Sequence, residues 1–255
     1  MKSYDDVAPG ISAKTALWAL PLLDGSRPPQ SLGAIALETC LNLRTLAIMA
    51  LLSQGNEQQF LANLSRSARA WALFLSRAKG ASPRPHHYVS GRLDPILDGI
   101  AAGDETAVGW IAATTPPDKQ GRSEYEDDYC YARLLLGLAA KPVDAEVLKP
   151  LLVRFRQFED GARVAVCEAL TRLDSAAFDK ALYAVLSNFE KHCSEAAERS
   201  EETPEQIARS SICIEGLALL RLAERHALPT AGEYPLCPSL ARLPYIGAFP
   251  SEFAV

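Results

Sequence analysis

A chain of 255 residues is long enough for one large domain or two small ones, and 48% hydrophobic against 22% charged residues is a globular composition that excludes general disorder. The net charge of −5 argues against a phosphate-neutralising face, so no nucleic-acid partner is expected, while a basic protein partner is compatible.

The opening stretch, MKSYDDVAPGISAKTALWALPLL, is a poor export signal: Asp5 and Asp6 spoil a basic start, and Pro21 interrupts a short apolar run. Residues 1–30 are expected to form an irregular arm ending in the turn-rich DGSRPPQ. Ser31–Ser53 predicts the first long helix. Its most apolar window contains Glu38 and Arg44, which makes it a buried core helix and not a membrane span. With no targeting segment and no membrane contact expected, the cytoplasm is the expected location.

Gly55 and Asn56 break that helix, and a second is predicted over Glu57–Lys79. Leu61, Leu64, Ala68, Trp71 and Leu75 form its apolar stripe, with Arg66, Arg69 and Arg77 on other faces. A proline-bounded loop, ASPRPHHYVSG, precedes two short helices near Asp94–Ala102 and Asp104–Ala113. TTPPDKQGR is a second loop.

Next comes SEYEDDYCYARLLLGLA, Ser123–Ala139, where four carboxylates and three tyrosines open an apolar helix. Ser123 and Glu126 fit the capping-box spacing, and acid in a first turn is favoured by about 0.3–1 kcal/mol per residue. Capping does not account for the facing. At about 100° per residue, Glu124, Asp127 and Asp128 fall on the side of Tyr131, Leu134, Leu135 and Leu138, opposite Glu126, Arg133 and Gly137. Carboxylates so placed need arginines from a neighbouring helix, a cation or a basic protein.

Asp144 predicts the N-cap of a helix that turns Leu148, Leu151, Leu152, Phe155 and Phe158 inward. Helices over Gly161–Leu173 and Ser175–Ala197 follow, and then a charged linker, Glu198–Glu202. Thr203-Pro204-Glu205-Gln206 starts a helix expected to run to about His226. Beyond Gly232, four prolines predict extended coil. The chain therefore reads as all-α, with a domain over 31–255 of eight or nine helices packed as antiparallel neighbours.

Chemical motifs are sparse. The six cysteines, at 40, 130, 167, 193, 213 and 237, form no CxxC pair and read as reduced core residues. No phosphate loop or other cofactor motif occurs, so no cofactor is expected. Ser76 and Lys79 match SxxK without its companion motifs. His86 and His87 have no third ligand nearby, so a solvated loop is favoured over a metal site. Arg221 and His226 have the Arg-x4-His spacing of all-α HEPN-type ribonucleases, in which histidine serves as base and arginine stabilises the transition state. Leu222 stands where those enzymes usually carry a polar residue, and cations at a helix C-terminus also favour the macrodipole.

YEDDYCYARLLLGL opening a mid-chain helix, preceded by LSRSARAWALFLSRAKG and followed late by EGLALLRLAERHAL and a proline-rich tail, resembles the immunity protein 49 family of bacterial polymorphic toxin systems. The resemblance covers roughly Ala34–Leu243. It implies an all-α, non-enzymatic protein, encoded beside a toxin that it neutralises by binding. It places partner contacts at Tyr125, Glu126, Asp127, Asp128 and Tyr129, with Glu124 beside them, and makes the toxin the expected, basic partner. A HEPN-like ribonuclease and a helical interaction scaffold are the alternatives.

Overall fold

The computed structural model describes residues 3–121, 124–159, 161–199, 202–253 and 255. The first helix, α1 (Tyr4–Asp24), corrects the expected irregular arm. Ser3 and Asp6 close a capping box that starts it, and Ile11, Thr15, Ala19 and Leu22 give it a buried face at helical spacing. Pro9 and Pro21 lie within it, and the helix persists because that face packs on its neighbour, α2 (Pro29–Gln54). Packing thus overrides a local signal for irregularity.

α2 and α3 (Glu57–Ala78) form the centre of the fold, an antiparallel pair turned by Gly55 in the left-handed region (φ 60°). Among the described helices, α2 is the one whose length and mean hydropathy of 1.6 would suit a membrane span, and 61% of that window is buried within the bundle. All five residues of the predicted α3 stripe are buried.

α4 (Leu93–Ala102) and α5 (Glu105–Thr114) lie across this pair, held by polar groups in its interior. Arg44 of α2 donates through Nε to Asp98 of α4 at 2.7 Å, and Ser67 of α3 donates to the other carboxylate oxygen at 2.5 Å. Arg69, expected on an outer face, is instead 8% exposed. It donates to Asp104 at 2.7 Å and lies 5.0 Å over the Trp110 ring, while Ser65 bonds the same carboxylate at 2.6 Å. Asp104 also caps α5 by accepting from the Ala107 amide. Close approach requires Gly99: a Cβ there would lie 3.0 Å from both Ala68 and Val108 side chains.

The second half comprises α6 (Glu126–Ala139), α7 (Ala145–Phe155), α8 (Ala162–Arg172), α9 (Ser175–Ala197), α10 (Pro204–Ser211) and α11 (Ile214–Arg225). Asp144 caps α7, and Thr203 with Gln206 forms a capping box on α10. α7 stops at Phe155, which leaves Phe158 exposed where an inward position was expected. The single helix expected over 204–226 is two, separated at Ile212 and Cys213. There the Cys213 amide donates to the Leu236 carbonyl of the tail, and Cys213 Sγ caps α11 at the Gly216 amide. That break is tertiary in origin, with no glycine or proline to announce it.

Eleven α-helices, no strand and one isolated bridge between Tyr234 and Cys237 make the described residues a single all-α domain. The tail crosses the bundle largely as coil, with one 3-10 turn at Ser239–Arg242, pinned where Arg242 pairs with Glu224. Cys40 and Cys167 are fully enclosed, and burial pushes both thiols well above the ordinary range.

Removing Asp98 leaves the Arg44 Nε and the buried Ser67 hydroxyl without their acceptor, with the largely exposed Asp94 alone holding the guanidinium. Asp98→Ala should therefore lower unfolding stability by about 3–5 kcal/mol, read as a shift in the urea midpoint. Arg44→Met combined with Asp98→Leu should recover most of that loss. Additive losses in the pair would show that the geometry is not held by this contact.

Candidate functional site

The acidic segment before and within α6 divides into inward and outward groups that the sequence did not separate. Glu124 is 7% exposed and accepts from two backbone amides, Gly91 on the preceding loop and Gln120 at 2.9 Å. It ties the two proline-rich loops together. Gly91 is obligatory there, since a Cβ would lie 2.8 Å from Asp128 Cβ and 3.2 Å from Glu124 Oε1. Tyr129 is also buried; its hydroxyl donates to the Pro117 carbonyl at 2.8 Å, and Arg154 of α7 lies 5.0 Å over its ring.

Glu126 was expected opposite the buried side, yet it is the carboxylate that an arginine meets: Arg154 donates to it through Nε at 2.5 Å, with Lys119 at 3.8 Å. α7 packs on the side once read as outer, with Leu148 so close to Gly137 that a Cβ there would sit 2.5 Å from it. The expected capping box of Ser123 with Glu126 falls partly outside the described residues. Tyr125 is the N-cap without a side-chain bond and Glu126 is the first helical residue, while Ser123 lies outside the described residues.

Tyr125, Asp127 and Asp128 remain. Tyr125 is 78% exposed. Asp127 and Asp128 are half-buried and form no ion pair among the described residues. Burial, followed by the neighbouring charge of Asp127, raises the Asp128 pKa above its ordinary value; Arg163 and Arg92 nearby oppose the shift. Neither arginine is within ion-pair reach of it. Arg163, in the first turn of α8, is committed to Glu215 in the first turn of α11, with bonds of 2.8 and 2.9 Å. Tyr131 of α6 donates to that same carboxylate at 2.8 Å, under the Arg163 guanidinium.

The N-termini of α4, α6, α8 and α11 therefore gather around one region, and their dipoles account for the acid concentrated there at Asp94, Glu126, Asp127, Asp128 and Glu215. Arg163 is the residue that sequence reasoning missed. A signal existed, because a cation in a helix's first turn opposes the dipole and implies a carboxylate from elsewhere.

Elsewhere the candidate chemistry does not assemble. His226 Nε2 is 2.9 Å from the Leu138 carbonyl, while Arg221 bonds the Leu243 carbonyl and lines a cavity whose walls do not include His226. His86 and His87 pack edge to face on each other, with His87 against Gly33. Among the described residues no group of three or more metal-ligating side chains converges. Lys79 of the SxxK match donates to the Ala113 carbonyl. A groove of about 850 Å³ lies between α1, α2, α3 and the tail at Glu252 and Phe253, lined mainly by alanine, leucine and small polar residues.

The all-α architecture and the acidic opening of α6 coincide with a family match: the model for immunity protein 49 covers residues 36–241. The chain belongs to this immunity-protein family. No curated protein and no solved structure matches it.

The two kinds of carboxylate should separate on mutation. Glu124→Ala strands two amides and should cost about 2–3 kcal/mol. Asp128 holds its proton more tightly in the fold than in the unfolded chain, so its ionisation costs stability as pH rises from about 4 through the raised pKa. Asp128→Asn should therefore leave stability at pH 7 unchanged or higher and flatten that pH dependence. Chemical denaturation at pH 4 to 8 checks both; a large loss in Asp128→Asn would mean the carboxylate has a structural partner.

Proposed function

We propose that the protein is a non-enzymatic immunity protein that binds a cognate bacterial toxin in the cytoplasm and blocks it, through a surface centred on Tyr125, Asp127 and Asp128. Family membership across residues 36–241 carries the reading. The site geometry supports the placement: an exposed tyrosine stands beside two carboxylates that no cation of this chain pairs, among the described residues. Glu124, Glu126 and Tyr129 support this surface from within, because their polar groups are already engaged.

Half-buried carboxylates without partners are costly to keep unless something else pairs them. A basic patch on the toxin meets that need, and complementary charge would also speed the encounter. Tyr125 adds contact area with few rotors to immobilise, the composition expected of an interface anchor. The protein then acts by covering a toxin surface, with no turnover of its own.

Co-expression with the toxin domain encoded beside it tests the reading. Wild-type protein should rescue growth and form a one-to-one complex. Tyr125→Ala with Asp127→Lys should weaken that complex at least about tenfold, or roughly 1.4 kcal/mol, with the melting temperature nearly unchanged. Failure of the wild type to rescue overturns the function; rescue and affinity intact in the double variant overturn the surface.

A further inference from the structure

A second cleft lies on the other side of Arg163, between α2, the start of α4, the C-terminal half of α9 and the α10–α11 break. Its volume is about 370 Å³, within the range of small-ligand pockets. Ile48, Leu97, Phe189 and Ile212 give it apolar walls. Three arginines reach it, and two are already neutralised. Arg44 pairs with Asp98 and Asp94, and Arg163 with Glu215.

Arg209 is different. It stands in the last turn of α10, and its guanidinium turns inward to α2, where it donates a 3.4 Å bond to Thr45 Oγ1. Thr45 is 1% exposed and already donates to the Leu41 carbonyl, so it offers Arg209 only a weak, neutral acceptor. Glu205, Glu38 and Asp94 act on Arg209 from a distance, and none of the described carboxylates forms an ion pair with it. Burial lowers the Arg209 pKa, the mark of a cation whose desolvation is not offset by a partner.

We infer that this cleft is a binding site for a monocarboxylate carried on a compact apolar group, with Arg209 receiving the carboxylate and Phe189, Ile48 and Leu97 packing the apolar body. An arginine fork suits a carboxylate's two oxygens. The balance of charge selects a single negative charge. Arg44 and Arg163 are spoken for by Asp94 and Glu215, which leaves Arg209 as the one arginine of the three to receive an anion, and Glu202 at the exposed rim would oppose the second charge of a phosphate dianion. The apolar walls favour a ligand with more than a bare carboxylate to bury. Neither family membership nor the surface at Tyr125 requires this site.

Calorimetric titration of the full-length protein with 3-phenylpropionate, its neutral amide 3-phenylpropionamide, acetate and inorganic phosphate tests the inference. The expected result is saturable binding of 3-phenylpropionate, with the amide, acetate and phosphate each at least roughly tenfold weaker. Arg209→Gln should weaken 3-phenylpropionate binding by a similar factor without lowering the melting temperature, since the charge it removes has no strong partner. Ser210→Phe, which fills the cleft and leaves Arg209 in place, should also abolish binding. Acetyl-Ala-Leu then distinguishes the source: tighter binding than 3-phenylpropionate points to a peptide C-terminus, weaker binding to a free small acid, and either supports the site. No saturable binding of 3-phenylpropionate or the peptide, equal binding of acid and amide, or binding that survives Arg209→Gln overturns it.

Discussion

The fold depends on two carboxylates that α4 and α5 drive into the α2–α3 pair. Asp98 and Asp104 are nearly inaccessible, and α3 meets both with a serine, supplied at Ser67 and Ser65. The arginines come from different helices, Arg44 from α2 and Arg69 from α3. A small hydroxyl side chain lets the crossing helices approach closely while still donating a hydrogen bond. An apolar interface of the same shape could be as stable, but it would fix orientation less strictly, because each carboxylate is held through both of its oxygens and admits few alternative registers. The orientation of α4 then determines where its N-terminus lies, and with it Arg92, Asp94 and the Gly91 loop.

That loop is the link between the core and the acidic surface. Glu124 grips the Gly91 amide, and Asp128 packs against the Gly91 backbone closely enough to forbid a side chain. The position of α6 is thus referred back to α4 through backbone contacts, which hold more tightly than a pair of flexible side chains would. Gathering four helix N-termini at one place makes a local excess of acid tolerable. Most of the carboxylates are consumed internally, and the two left over sit on a rigid platform.

Much of this was legible in the sequence where one helix decides the matter. The α3 stripe, the Asp144 and Thr203 caps and the extent of α9 follow from periodicity and local chemistry, and the structure keeps them. α1 was missed because its prolines and weak amphipathicity outweighed a capping box that Ser3 and Asp6 in fact spell out. The division at Cys213 left no trace in the sequence, since a tail residue more than twenty positions away supplies the competing hydrogen bond. In the acidic segment, the wheel projection placed Glu126 with Gly137, opposite the leucines, but treated that side as outer because it assumed one buried face. α6 is enclosed by α4, α5, α7 and α8, so its nominal outer face is an interface too. Periodicity locates a helix's most apolar side; it does not reveal that the opposite side is also covered.

Burial of a charge without a partner provides the remaining argument, and it applies to both signs here. Asp127 and Asp128 have no cation within ion-pair distance, and Arg209 has no anion, among the described residues. Between them lies Arg163, fully used by Glu215 and Tyr131, which prevents the two groups from neutralising each other through it. A sequence optimised for stability alone would replace such groups with neutral ones of similar size, because each desolvated charge opposes folding. Their position on helices, with neighbours that hold them in place and, among the described residues, do not pair them, is what the proposed partner and ligand sites would require. At Tyr125 the missing charge is positive and the surface is open, which fits a protein partner. At Arg209 it is negative and the site is a walled cleft, which fits a small apolar acid.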